Sequence, residues 1–156
     1  MSQAVTFIDT SVLCNLLAVP GRDQDHGAVL AEFRRRTAAG HTFILPITTV
    51  VETGNHINHV SNGAHRRSCA ERFVELLHQT LAHKLPWTLH EFAWNSEFLT
   101  ALLSGSETGI SFVEHAQSGL GCGDLCIICE RNTYQRRSGI SNVSVWTLDS
   151  QLSSHL

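Results

Sequence analysis

An α/β layer fold built on a short parallel sheet is the architecture this sequence predicts, and three observations carry it. Short apolar runs such as Val5-Thr6-Phe7-Ile8 and Thr42-Phe43-Ile44-Leu45 alternate with longer stretches of helical periodicity. Acidic residues stand just beyond apolar runs, where sheets of this class collect their ligands. The 156 residues are 42% hydrophobic and 16% charged, below the roughly 25% charged of an average domain, which excludes disordered, collagen-like and coiled-coil chains. The length suits a single domain over residues 1–156. No apolar run approaches the roughly 18 residues of a membrane span, and the first residues lack a basic, signal-like start. Five cysteines, an odd number, suit a reducing cytoplasm better than a disulfide framework.

The elements follow in order. Residues 5–8 read as a buried strand ending at Asp9, and Leu13, Leu16 and Leu17 place a brief helix behind it. After the Pro20-Gly21 turn, a helix is expected over 25–39, closed by Gly40. Residues 42–45 form a second strand, stopped by Pro46. A third helix is expected over 48–62, where Val50, Val51, Ile57 and Val60 recur, with Gly54 as its weak point. The clearest helix spans 64–84, with Phe73, Leu76, Leu77 and Leu81 in one stripe. Trp87-Thr88-Leu89 is a third strand, followed by helix over 95–103, a loop over 104–109, and helices near 112–117 and 123–134. A final strand over 143–148 runs to Asp149, and a last short helix closes the fold.

Acids set among apolar residues are costly unless paired, capping or metal-bound. Asp9, Glu52, Asp124 and Asp149 are in that position, whereas Asp23 and Asp25 lie in a polar turn. The expected elements put Asp9 and Asp149 at carboxyl ends of strands, and Glu52 and Asp124 in first helical turns, all on one edge of the sheet. Each has a structural reading. Thr49-Val50-Val51-Glu52 matches a capping box, Asp9 and Asp149 suit N-caps, and Asp124 suits a helix dipole. Four acids on one edge would repel unless neutralised, which points to a hard divalent ion such as Mg²⁺ or Mn²⁺.

The same residues resemble a known family. Phe7-Ile8-Asp9-Thr10-Ser11-Val12-Leu13 is similar to the opening strand and acid of PIN-domain nucleases, and Val50-Val51-Glu52 to their second acid. Gly123-Asp124-Leu125-Cys126-Ile127-Ile128-Cys129 resembles the helix bearing the third acid, and Thr147-Leu148-Asp149-Ser150 the fourth. The order covers nearly the whole chain, and the nearest subgroup is the VapC-type toxins of bacterial toxin–antitoxin pairs. The chain departs from that pattern in its cysteines after Asp124 and in a longer stretch between Trp87 and Gln117. The resemblance implies a three-layer PIN-like fold and metal-dependent hydrolysis of RNA phosphodiesters. Asp9 and Asp124 would ligate Mg²⁺ or Mn²⁺, and Glu52 and Asp149 would complete the site. Ser11 and Thr147 would support the carboxylates as neighbouring hydroxyls. It further implies a cognate antitoxin protein and a homodimer.

Competing constellations are weaker. Cys122, Cys126 and Cys129 have an iron–sulfur spacing, but on a helix one buried face explains all three. Cys126 and Cys129 with His56 and His59 would be a zinc set drawn from two helices rather than a knuckle. His56, one turn beyond Glu52, reads first as a solvated helix-face residue. A phospho-aspartate receiver or dehalogenase-type phosphatase shares the layout but needs a lysine, and Lys84 is the only one. Net charge is −3, and setting the four acids aside leaves the remainder at +1, compatible with RNA. The runs Arg34-Arg35-Arg36, Arg66-Arg67 and Arg136-Arg137 read as solvated faces able to touch phosphate. The different-class alternative is a non-catalytic PIN-like module that binds RNA or a protein.

Overall fold

A computed structural model describes residues 3–156. Strand β1 (Ala4–Ile8) leads into helices α1 (Thr10–Leu16) and α2 (His26–Ala38) and then β2 (His41–Ile44). Helices α3 (Ile47–Asn58) and α4 (Gly63–Leu81) lead to β3 (Trp87–Thr88). Then come α5 (Ser96–Leu103), α6 (Phe112–Ser118), α7 (Cys122–Ser138), β4 (Asn142–Trp146) and α8 (Ser150–Ser153). All pairings are parallel and the sheet order is β3-β2-β1-β4. No described helix is long and apolar enough to cross a membrane.

Side-chain alternation divides the core into three layers. Ile8, Phe43, Trp87 and Trp146 point to one face and pack under α1, α2, α3 and α4. Val5, Phe7, Ile44 and Val143 point to the other, beneath Tyr134 of α7. Helices α5, α6 and α8 build a further apolar cluster on α7 around Phe98, Leu120, Leu125 and Leu152. Burial on both faces explains why β1 reads as an unbroken apolar run, since every one of its residues is buried.

Several boundaries differ from the sequence expectation. Helix α3 begins at Ile47, with Pro46 at its N-cap, and ends at Asn58 rather than 62. It passes through Gly54, where an added Cβ would meet only Phe73 at an ordinary 3.7 Å. Helix α4 stops at Leu81, which is 64% exposed and outside the stripe that Phe73, Leu76 and Leu77 form. Val51 is likewise exposed, because the face of α3 that packs carries Thr49, Thr53 and Ile57. Helix α7 runs on to Ser138, four residues beyond the expected end, until Gly139 adopts the left-handed conformation that closes it. Strand β4 ends at Trp146 and does not reach Asp149.

The chain order places a topological switch point between β1 and β4. From β1 the chain steps outward to β2 and β3, then returns across the sheet to lay β4 on the other side of β1. The crevice beyond the carboxyl ends of two such strands is where α/β sheets seat ligands.

Candidate functional site

Asp9 follows β1 directly, and its N–H donates to the Trp146 carbonyl at 3.0 Å. The residue is buried at the N-cap position of α1, yet its carboxylate caps nothing. Instead Oδ2 accepts from Ser11 Oγ at 2.8 Å and from Thr147 Oγ1 at 2.7 Å. Both hydroxyls are themselves oriented: Ser11 Oγ accepts from the Leu148 N–H at 3.0 Å and Thr147 Oγ1 from the Asp149 N–H at 2.9 Å. Ser11 and Thr147 thus stand where supporting hydroxyls were expected, and two charge-assisted bonds offset the burial of Asp9.

Glu52 lies in the second turn of α3, not the first, because the helix starts at Ile47. The expected capping box does not form. Thr49 Oγ1 donates to the Ile8 carbonyl at 2.8 Å, and Glu52 Oε2 accepts from Thr10 Oγ1 at 2.8 Å. Both bonds tie α3 to the end of β1. Gly123 of α7 makes room for this side chain, since a Cβ there would collide with the Glu52 carboxylate.

Asp124 occupies the first turn of α7, where its helix-dipole reading places it. Its pKa is nevertheless raised from 3.8 to about 7, by burial first and then by the charges of Asp9, Asp149 and Glu52. Asp149 sits at the exposed N-cap of α8, where Oδ1 accepts from the Gln151 N–H at 2.8 Å, as its own capping reading expected.

All four acids line one cavity of ≈ 580 Å³ at the switch point. Among the described residues no three His, Cys, Asp or Glu side chains close into a metal-ligand set, so the carboxylates share a cavity without converging on a single point. Their chemistry suits a hard cation. The donors are carboxylate oxygens, and the charge crowding that adds to burial in lifting Asp124 is what a divalent ion would relieve.

Sequence reasoning missed several residues of this cavity. Asp25, set aside as a turn residue, and Arg22 both line it. They are brought there by Asn15, whose amide donates to the Ser11 carbonyl at 2.9 Å and accepts from the Asp25 N–H at 2.9 Å. A buried asparagine beside Cys14 in an apolar helix is the signal that marks this anchor. His56 is half-buried and lines the cavity rather than a solvated face; burial, then Arg22, lowers its pKa, and Glu52 opposes them.

The rival constellations separate in space. Cys126 and Cys129 are buried in the α7 core cluster while Cys122 is exposed, so the three do not share one buried face. Burial pushes the Cys126 thiol up to about 12. His56 and His59 line a polar cavity with Pro20 and Arg22, apart from that core. Lys84 is absent from the acidic cavity. Much of the arginine charge is paired: Arg35 and Arg36 with Glu32, Arg67 with Glu71, and Arg136 with Glu107.

Comparisons with protein-family models, with curated proteins and with solved structures find no match to the chain.

Proposed function

We propose that this chain is a Mg²⁺- or Mn²⁺-dependent endoribonuclease that hydrolyses RNA phosphodiester bonds in the cavity between β1 and β4. The observation that carries the reading is the setting of Asp124. A half-buried carboxyl pushed up to about 7 by burial and then by three further acids, in the crevice of a parallel sheet, is a poor structural device. It is a good ion site.

Asp9 and Asp124 would hold the ion, with Glu52 and Asp149 completing its surroundings. A bound divalent ion supplies Lewis acidity toward phosphoryl oxygens and an acidified water near neutral pH. The chain supplies preorganisation. Ser11 and Thr147 fix the Asp9 carboxylate in one orientation, and Thr10 fixes that of Glu52. Gly123 keeps α7 close enough to α3 for the two carboxylates to share the cavity. With its pKa raised to about 7, Asp124 is partly protonated near neutrality, and a divalent ion held there would favour its carboxylate form.

The resemblance to PIN-domain toxins extends the proposal to biology. The chain would act in the cytoplasm as the toxin of a type II pair, as a homodimer silenced by an antitoxin protein that covers the acidic cavity. A basic group from such a partner would be favoured among these carboxylates.

Incubating the protein with a mixed RNA pool under Mg²⁺ or Mn²⁺ titration tests the chemistry. Cleavage that needs the ion and is lost in Asp9→Asn is expected. RNA or protein binding with no cleavage at any ion concentration would transfer the chain to the non-catalytic alternative. Growth arrest on bacterial expression, dependent on Asp9 and relieved by the neighbouring reading frame, tests the toxin reading separately.

A further inference from the structure

The acidic cavity does not stand alone. Gly21, Arg22 and His56 also line a second cavity of ≈ 560 Å³, which His59 and Val60 help to form. Pro20 belongs both to that cavity and to a third, of ≈ 220 Å³, lined by His65, Ser68 and Arg72. The three therefore succeed one another along the loop of residues 17–25, and the sign of the lining changes on the way. Five carboxylates line the first, whereas none lines the second or third.

The cationic groups here differ from the paired arginines elsewhere. None of the ion pairs among the described residues uses Arg22, which stands at the junction of the first two cavities. Arg72 is clamped by donating Nε and Nη2 to the Leu17 carbonyl at 3.0 and 2.8 Å and Nη1 to Ser68 Oγ at 2.8 Å. Among the described residues it makes no ion pair, so its charge is fixed in place without a carboxylate partner. The same bonds hold the loop against α4, which gives the track a firm floor.

We infer that this succession is a binding track for single-stranded RNA, in which Arg22 with His56 and His59 holds the phosphate next to the one being cleaved, and Arg72 with His65 holds a phosphate further along. The inference rests on the nuclease reading and adds the path of the strand: it leaves the acidic cavity across residues 17–25, along α3 toward the start of α4. Carboxylates loaded with a divalent ion suit the scissile phosphate, and guanidinium suits its neighbours. Contacts of this kind give affinity and register without sequence choice.

The test uses the full chain in Mg²⁺ with two labelled RNAs, a strand of about twelve nucleotides and a dinucleotide too short to reach the track. Binding of the longer strand is followed by anisotropy against salt, with strand integrity checked on a gel. Arg22→Gln and Arg72→Gln should each flatten the slope of log K against log salt by roughly 0.7, as expected for one lost phosphate contact on a single strand. Each should also raise KM for the longer strand, and Arg72→Gln, whose side chain lies outside the acidic cavity, should leave dinucleotide cleavage unchanged. Arg22→Lys should restore the slope. Because Arg72 also braces the loop, Arg22→Gln with His59→Gln is the control that leaves those bonds intact. An unchanged slope in that double variant, equal losses on both RNAs for Arg72→Gln, or no binding by the wild type would each overturn the track. Salt-dependent binding of the longer strand that the arginine variants weaken, without cleavage of either RNA, would keep the track and overturn the nuclease.

Discussion

Asp124 bears the largest electrostatic load in the cavity, and its behaviour with pH is a direct consequence. The folded state raises its pKa from 3.8 to about 7, so the folded protein holds this proton more tightly than the unfolded chain does. The resulting penalty is absent below the unfolded value, grows as pH rises, and is complete above the folded value. Asp124→Asn should therefore stabilise the metal-free protein at pH 8 but hardly at pH 4. With screening of a partly exposed carboxyl allowed for, the gain at pH 8 should be on the order of 1–2 kcal/mol, or a few degrees in Tm. Thermal unfolding of both proteins at the two pH values reads this out. Asp9→Asn should behave differently: it retains an oxygen for the Ser11 and Thr147 hydroxyls, so Tm should change little while metal-dependent cleavage is lost. At this scale the sequence revealed the four acids because each stood in apolar surroundings. Asp25 and Arg22 escaped because a polar turn gives no sign of folding back over a cavity; only the bonds of Asn15 do that.

Between elements, the close approach of α3 and α7 decides where Glu52 goes. Gly123→Ala should improve the intrinsic helix propensity of α7 yet push the Glu52 carboxylate off Thr10. Melting temperature is expected to hold or rise while cleavage falls at least about tenfold, the effect assigned to a misplaced group near the chemistry. Glu130 ties α7 to the segment that follows β3. It is 2% exposed and accepts from His90 at 3.1 Å. Glu130→Ala should cost about 1–3 kcal/mol, as expected when buried donors lose their acceptor, and urea unfolding measures it. The strands and most helices were legible because apolar runs and helical periodicity are strong signals. The start of α3 was not, since Pro46 serves as an N-cap and moves Thr49 inside the helix, away from the capping role its sequence suggested.

The proposed ion would act on the whole molecule through linkage. An ion that binds only the folded state stabilises it with the logarithm of its concentration, by about 2.7 kcal/mol at a hundred times its Kd, and raises Tm accordingly. Mg²⁺ or Mn²⁺ should therefore shift the melting of the wild type, and neither should shift that of Asp9→Asn. A wild-type melt indifferent to both ions would remove the metal from the site.

The sheet order also governs when the site comes into being. Thr147, which buttresses Asp9, lies 138 residues further along the chain, and β4 is the strand that brings it there. Synthesis at roughly 5–20 residues per second separates the two by roughly 7–28 s. During that interval a nascent chain carries Asp9 without its Thr147 hydroxyl and without the backbone bond to Trp146. Since Asp149 and the Thr147 hydroxyl join Asp9 only when β4 docks beside β1, a nuclease of the kind proposed would have an incomplete site while still on the ribosome, and the RNA of its own synthesis would be spared until the fold closes.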